Sequence, residues 1–157
     1  MPYLYRGICS LKIYQMCEMD IDKIQRIDRE THLQWPRKYY TKVLTSHNYH
    51  AYCAQMNNQC VGSIMFRIKN KELYIDKLVV IKKLQHQGIG GELIEKALRT
   101  GKKYTVDVAF LSVSSRNFSA IDFYMKHGFQ LECIQWNHYD HQDHGLKMYR
   151  NLQTNHE

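Results

Sequence analysis

The chain has 157 residues, 44% hydrophobic and 24% charged, proportions suited to one globular domain over 1–157 with a core of its own. Its net charge of +7, from 22 basic and 15 acidic residues, is dispersed along the sequence; this is a solvated basic surface that attracts an anionic cofactor, with no direct nucleic-acid binding expected. No apolar run approaches the ~20 residues of a membrane span, and the opening Met1–Lys12 lacks the basic start and apolar core of a secretory signal, so a cytoplasmic protein without membrane association is expected.

Alternation over Leu11–Met16 predicts a first strand. Asp20 can cap a helix whose apolar positions Ile21, Ile24 and Ile27 fall at helical spacing. Pro36 breaks that pattern and opens a second helix through Leu44. Two strand-like runs, Tyr49–Met56 and Cys60–Ile68, flank Asn57-Asn58-Gln59, a hairpin signature. In the next strand, Glu72–Ile81, the residues Leu78, Val79 and Val80 are too apolar for one face to meet water, which places the strand at the centre of a sheet.

A glycine turn follows, and then Leu93, Ile94, Ala97 and Leu98 form a helical stripe ending near Gly101. Tyr104–Val113 predicts a strand and Asn117–His127 a helix, capped by Asn117 or Ser115 and closed by Gly128. Phe129–Trp136 and Gly145–Leu152 predict the last two strands. The order is β-α-α-β-β-β-α-β-α-β-β, a mixed α/β sheet with helices on its faces. Five cysteines, Cys9, Cys17, Cys53, Cys60 and Cys133, form no CxxC pair and are expected to be reduced thiols, not a zinc site or a disulfide frame. His138, His141 and His144 stand three apart with Asp140 and Asp143 between them, a spacing that does not converge on one ion from a strand or hairpin, so no metal is expected.

The chemistry concentrates at Gln85-His86-Gln87-Gly88-Ile89-Gly90-Gly91. A turn that leaves a buried strand and opens a helix aims unpaired N–H groups and the helix dipole at an anion. It is neither a Walker loop nor the dinucleotide fingerprint GxGxxG. The pattern Q/R-x-x-G-x-G/A after a strand resembles the acetyl-CoA pyrophosphate loop of the GNAT acetyltransferase superfamily, and Asn117–Phe129 resembles that superfamily's N-x-x-A-I-x-x-Y-x-x-x-G-F helix. Within it, the chain is most similar to protein N-terminal (Nα) acetyltransferases, including the ribosomal-protein alanine type.

The resemblance implies a mostly antiparallel sheet of six to seven strands with about four helices, and acetyl-CoA as cosubstrate. Backbone groups of Leu78, Val79 and Val80 would pair with the pantetheine arm as with an added strand. Gln85, His86, Gln87, Gly88, Ile89, Gly90 and Gly91 would line the pyrophosphate, and Asn117 would contact the pantetheine arm. Tyr124 matches the tyrosine that protonates the departing thiolate; an aromatic at this spacing can also be core packing, but its place on the motif position favours the catalytic role. Leu33 and Trp35, in the segment Leu33–Tyr40, stand where relatives carry a substrate lip, while His138 and Tyr139 match an Asn-Tyr-Tyr segment that holds the substrate N-terminus.

The base is the departure. Relatives place a glutamate or histidine at the position matched by Ser112, and a serine accepts no proton at neutral pH. Tyr74 matches a second catalytic position and could guide a proton through water, with Asp76 or His138 as fallback acceptors. An α-amine with a pKa of ~8.0 is about 20% neutral near pH 7.4, whereas a lysine at ~10.4 is about 0.1% neutral. A site without a carboxylate base therefore suits a protein or peptide N-terminus, with a small-molecule amine or polyamine as the alternative and a CoA-binding regulator without catalysis as the third reading. Either a monomer or a homodimer is compatible with the sequence.

Overall fold

The computed structural model describes residues 11–31, 33–139 and 143–153. The strands are β1 (Lys12–Gln15), β2 (Tyr49–Met56), β3 (Gln59–Lys69), β4 (Glu72–Val80), β5 (Val108–Ser114), β6 (Gln130–Tyr139) and β7 (Asp143–Asn151). The helices are α1 (Ile21–Asp28), α2 (Arg37–Thr45), α3 (Ile89–Lys103) and α4 (Phe118–Lys126). The strands form one sheet in the order β1-β2-β3-β4-β5-β7-β6. Pairing is antiparallel for β1–β2, β5–β7 and β6–β7, and parallel for β4–β5. This is the expected mixed, mostly antiparallel sheet with four helices, and β4 is its middle strand.

The chain divides into two compact units. The first takes the described residues up to Met65 together with Lys77–Lys96, and the second takes Phe66–Asp76 and the described residues from Ala97 onward. In the first unit, Ile21, Ile24 and Ile27 bury one stripe of α1 in a core with Met16, Tyr40, Val43, Cys53, Met65 and Val79. Each such aliphatic chain contributes roughly 1.5–3 kcal/mol by leaving water. The hairpin between β2 and β3 turns on Asn57 and Asn58, at φ of 51° and 61°, the pair of left-handed residues that a type I′ turn demands. Further along β3, Gly62 admits the neighbouring backbone: a Cβ there would lie 2.7 Å from the Val79 carbonyl oxygen. In the second unit, Phe66, Leu73, Leu98, Ala109, Leu111, Phe129 and Met148 are buried.

Some boundaries differ from the sequence reading. The α3 helix runs two residues past Gly101 to Lys103, and the next strand begins at Val108 instead of Tyr104. The Gly101 carbonyl accepts from both Tyr104 and Val106 N–H groups, closing a turn where alternation alone reads as strand. Asp20 precedes α1 but its side chain caps none of that helix's N–H groups. It turns back to accept from the Cys17 N–H at 2.9 Å and from the Tyr14 hydroxyl at 2.9 Å. Asn117, not Ser115, caps α4 by accepting from Ala120 N–H at 3.1 Å. The strand β6 continues through Asn137, His138 and Tyr139. Cys17, Cys53, Cys60 and Cys133 are free thiols, whereas Cys9, Asp140 and His141 lie outside the described residues.

Candidate active site

In the first unit, β4 leads through a short 3₁₀ turn, Lys82–Leu84, into the glycine turn and α3. His86 and Gly88 adopt φ of 63° and 88°, and a glycine is the residue that takes the second of these without Cβ strain. The first helical bond of α3 runs from Glu92 N–H to the Gly88 carbonyl at 3.1 Å. The preceding N–H groups of Ile89, Gly90 and Gly91 have no acceptor within the helix, as at every helix start, and they face outward with the positive end of the dipole. Ile89 itself is buried and anchors the turn, while Gln85, His86 and Gly88 are exposed. The Gln85 amide donates to the Val80 carbonyl at 3.1 Å, pinning the turn to the end of β4. Val79 is core; Leu78 and Val80 are partly exposed.

The segment ahead of α2 belongs to the same unit. Leu33 is 45% exposed, and Trp35 packs against Tyr39 and Tyr40 with ring centroids 6.3 and 5.8 Å away. The Trp35 carbonyl accepts from the Gln25 amide at 3.3 Å. Beneath Trp35 lies an arrangement that the sequence reading missed. The buried Lys77 ammonium sits 4.9 Å from the Trp35 ring centre and 2.6 Å from Asp28 Oδ2, and it contacts the Tyr40 hydroxyl, which also donates to Asp28. Burial pushes Lys77 below the usual lysine range, and Asp28 opposes that shift.

In the second unit, Tyr124 lies on α4 with its ring edge-on to Phe123 and Phe129, at 5.3 and 5.9 Å. Among the described residues its hydroxyl has no hydrogen-bond partner. Burial raises its pKa, with Tyr139 adding to the shift, so the phenol stays protonated at neutral pH and is available as a donor. The Asn117 carbonyl oxygen is taken by its own cap, which leaves the amide NH₂ for other contacts.

Ser112 donates to the Gln135 side chain at 2.9 Å, a neutral pair. Asp76 accepts from Arg67 Nε at 3.2 and 3.3 Å; burial raises its carboxyl and Arg67 opposes that. Tyr74 donates to Glu72 Oε2 at 2.5 Å, a partner absent from the sequence reading. The His138 ring meets Tyr139 edge-on at 4.8 Å, and the Tyr139 hydroxyl is raised by burial and then by Asp143. His144 Nδ1 accepts from the Asn137 N–H at 2.9 Å and ties β6 to β7. No group of three or more His, Cys, Asp or Glu able to hold a metal occurs among the described residues, and none of their helices is long and apolar enough to cross a membrane.

The second unit thus collects Tyr74, Ser112, Asn117, Tyr124, His138 and Tyr139, and the first collects the glycine turn, the end of β4, Leu33 and Trp35. Glu72 was legible in principle, since residues two apart share one face of a strand. The Asp28–Lys77 pair had no local signal.

Comparison with known proteins follows the same lines. Residues 20–129 match the family model described as Acetyltransferase (GNAT) family. The chain is 34% identical over 107 residues to N-alpha-acetyltransferase 50 of Danio rerio, covering 65% of this chain and 63% of that protein. It is 29% identical over 85 residues to streptothricin acetyltransferase A of Bacillus subtilis (strain 168), covering 54% of this chain and 49% of the relative. The matched region therefore spans about half to two thirds of the length of these relatives. The crystal structure of the ribosomal-protein-S18-alanine N-acetyltransferase from Escherichia coli superposes with a TM-score of 0.85 at 21% identity, over 94% of this chain and 97% of that one.

Proposed function

The chain belongs to the GNAT acetyltransferase family, and on that premise we propose that it is one catalytic domain transferring acetyl from acetyl-CoA to the free N-terminus of a protein or peptide. Acetyl-CoA is the cosubstrate, and the glycine turn fits its pyrophosphate because outward N–H groups at a helix start bind anions. Gln85, His86, Gln87, Gly88, Ile89, Gly90 and Gly91 line that group. Leu78, Val79 and Val80 offer backbone groups to the pantetheine arm; in support, the β4–β5 ladder runs only from Glu72–Val108 to Ile75–Leu111 while β4 continues to Val80. The Asn117 amide contacts the same arm, and Tyr124 donates its hydroxyl proton toward the sulfur that departs.

The observation that carries the N-terminal reading is the similarity to N-alpha-acetyltransferase 50. The neutral Ser112–Gln135 pair adds physical support, since an amine entering such a site must already be neutral. At pH 7.4 an α-amine with a pKa of ~8.0 meets that condition roughly two hundred times more often than a lysine at ~10.4. Tyr74 guides the proton that the nitrogen loses. Leu33, Trp35, His138 and Tyr139 hold the peptide. The similarity to streptothricin acetyltransferase A favours a second reading, a small-molecule amine as acceptor.

Mass spectrometry of a peptide carrying both a free N-terminus and an internal lysine, incubated with acetyl-CoA, is the test. Acetylation at the N-terminus is expected, at a rate that rises with pH toward the amine's own pKa. Acetylation confined to the lysine refutes the assignment, and an unmodified peptide beside rapid turnover of spermidine or streptothricin establishes the second reading.

A further inference from the structure

Tyr74 is held in place from several sides within the second unit. Its ring stacks on Phe110 at 5.2 Å and 24°, and the Arg67 guanidinium lies over it at 4.8 Å. Arg67 is itself anchored to Asp76. The Tyr74 hydroxyl points at Glu72, two residues earlier on the same face of β4, and gives its proton to Oε2. The lone pairs of the phenol oxygen therefore remain free to receive another proton. Ser112 and Gln135, which satisfy each other, offer no proton acceptor of comparable basicity.

We propose that Glu72 receives, through the Tyr74 hydroxyl, the proton that the acceptor nitrogen sheds as its bond to the acetyl carbon forms. The inference rests on the acetyl-transfer reading above. The neutral amine attacks the thioester carbonyl and a C–N bond forms, leaving the nitrogen positively charged. Attachment to the tetrahedral carbon makes that nitrogen far more acidic than the free ammonium, so a carboxylate can take its proton at this stage. One proton passes from nitrogen to Tyr74 Oη while the phenol proton passes to Glu72 Oε2. The C–S bond then breaks, the sulfur leaves as the thiol with a proton donated at Tyr124, and the products are the amide and CoA. Glu72 returns its proton to water and Tyr124 regains one from water, so the balance closes without any other reactant.

Glu72 acts through Tyr74 and is a positioning residue rather than one that touches substrate. The charged groups around the pair are Arg67 on β3, Asp76 on β4, and the Glu132–Lys147 pair from β6 and β7, at 3.1 Å. Lys147 lies over the Phe110 ring at 4.4 Å. Two cations and two further carboxylates thus surround Tyr74 and Glu72, and they leave Glu72 as the carboxylate that the phenol touches.

A double-mutant cycle on the full chain tests the relay, with saturating acetyl-CoA and the amine that the wild type acetylates. Glu72→Gln and Tyr74→Phe are each expected to lower kcat by ~10²-fold or more, with the KM for acetyl-CoA unchanged within about twofold, and Glu72→Asp recovers part of the loss. The double variant is expected to be no slower than the worse single variant, because both remove one path. Multiplicative losses in the double variant, or a normal rate in Glu72→Gln beside a slow Tyr74→Phe, overturn the relay while leaving the wild-type activity in place. A wild-type chain that acetylates no amine overturns the functional reading and the relay together.

Discussion

Lys77 Nζ lies 2.6 Å from Asp28 Oδ2, and both side chains are sealed from solvent across 49 residues of sequence. Two charges removed from water tolerate burial only as a pair, since the attraction between them offsets desolvation and each leaves the other stranded when removed. Lys77→Met or Asp28→Asn alone is expected to lower stability by ~3–5 kcal/mol. An apolar replacement of both is expected to cost less than the sum, read as the coupling in a urea-denaturation cycle.

Asp20 makes stability depend on acid. Burial by itself would raise its carboxyl, but hydrogen bonds from the Cys17 N–H, the Tyr14 hydroxyl and Lys23 outweigh that and hold it below the ordinary value of 3.8. A carboxylate depressed in the folded state adds stability that is complete above its unfolded pKa and is lost as pH falls through the folded one. Asp20→Asn is expected to be less stable at pH 7 by ~1–3 kcal/mol. The gap to wild type should shrink below about pH 4, measured by thermal melts across pH.

Gly90→Glu should abolish acetyl-CoA binding and leave the fold intact. Gly90 lies in the first turn of α3, where a carboxylate would repel a bound pyrophosphate and fill the space its oxygens need. Calorimetry on the folded variant checks this; unchanged affinity would remove the glycine turn from the cosubstrate site.

Tyr124→Phe keeps the ring against Phe123 and Phe129 and removes only the hydroxyl. Turnover at saturating substrate is expected to fall by ~10²- to 10⁴-fold, with acetyl-CoA affinity within a few-fold of wild type. A near-normal rate would make the residue a packing aromatic.

The parts of the molecule that sequence exposes are those governed by local period. Residues 73, 75, 77 and 79 of β4 are the buried set, and 72, 74, 76 and 78 the other face; alternation therefore gives even the buried phase of Lys77. It cannot give Asp28, because nothing local links a helix and a strand that meet only on folding. The same period places Glu72 beside Tyr74, yet only side-chain rotamers decide that the hydroxyl turns toward it. Tyr104–Asp107 misleads for the opposite reason: its pattern is strand-like, but the Gly101 carbonyl captures the two N–H groups that would have extended the sheet. The glycine turn was legible because Gly88 and the helix stripe behind it are both local.

Trp35 is moored from below. Its indole face meets the Lys77 ammonium, and its carbonyl holds the Gln25 amide, whereas the side chains of its neighbours Leu33 and Gln34 are exposed and Leu33 is tied only through its backbone N–H, to Thr31 Oγ1 at 3.2 Å. Under the proposed function the rim that meets the peptide is therefore divided in its capacity to vary. Replacing Trp35 disturbs a buried ion pair and is charged against folding, while Leu33 and Gln34 can be exchanged almost freely. A library aimed at altering acceptor preference should be randomised at those two positions with Trp35 kept fixed, and the same asymmetry tells which side of the lip natural drift can reshape.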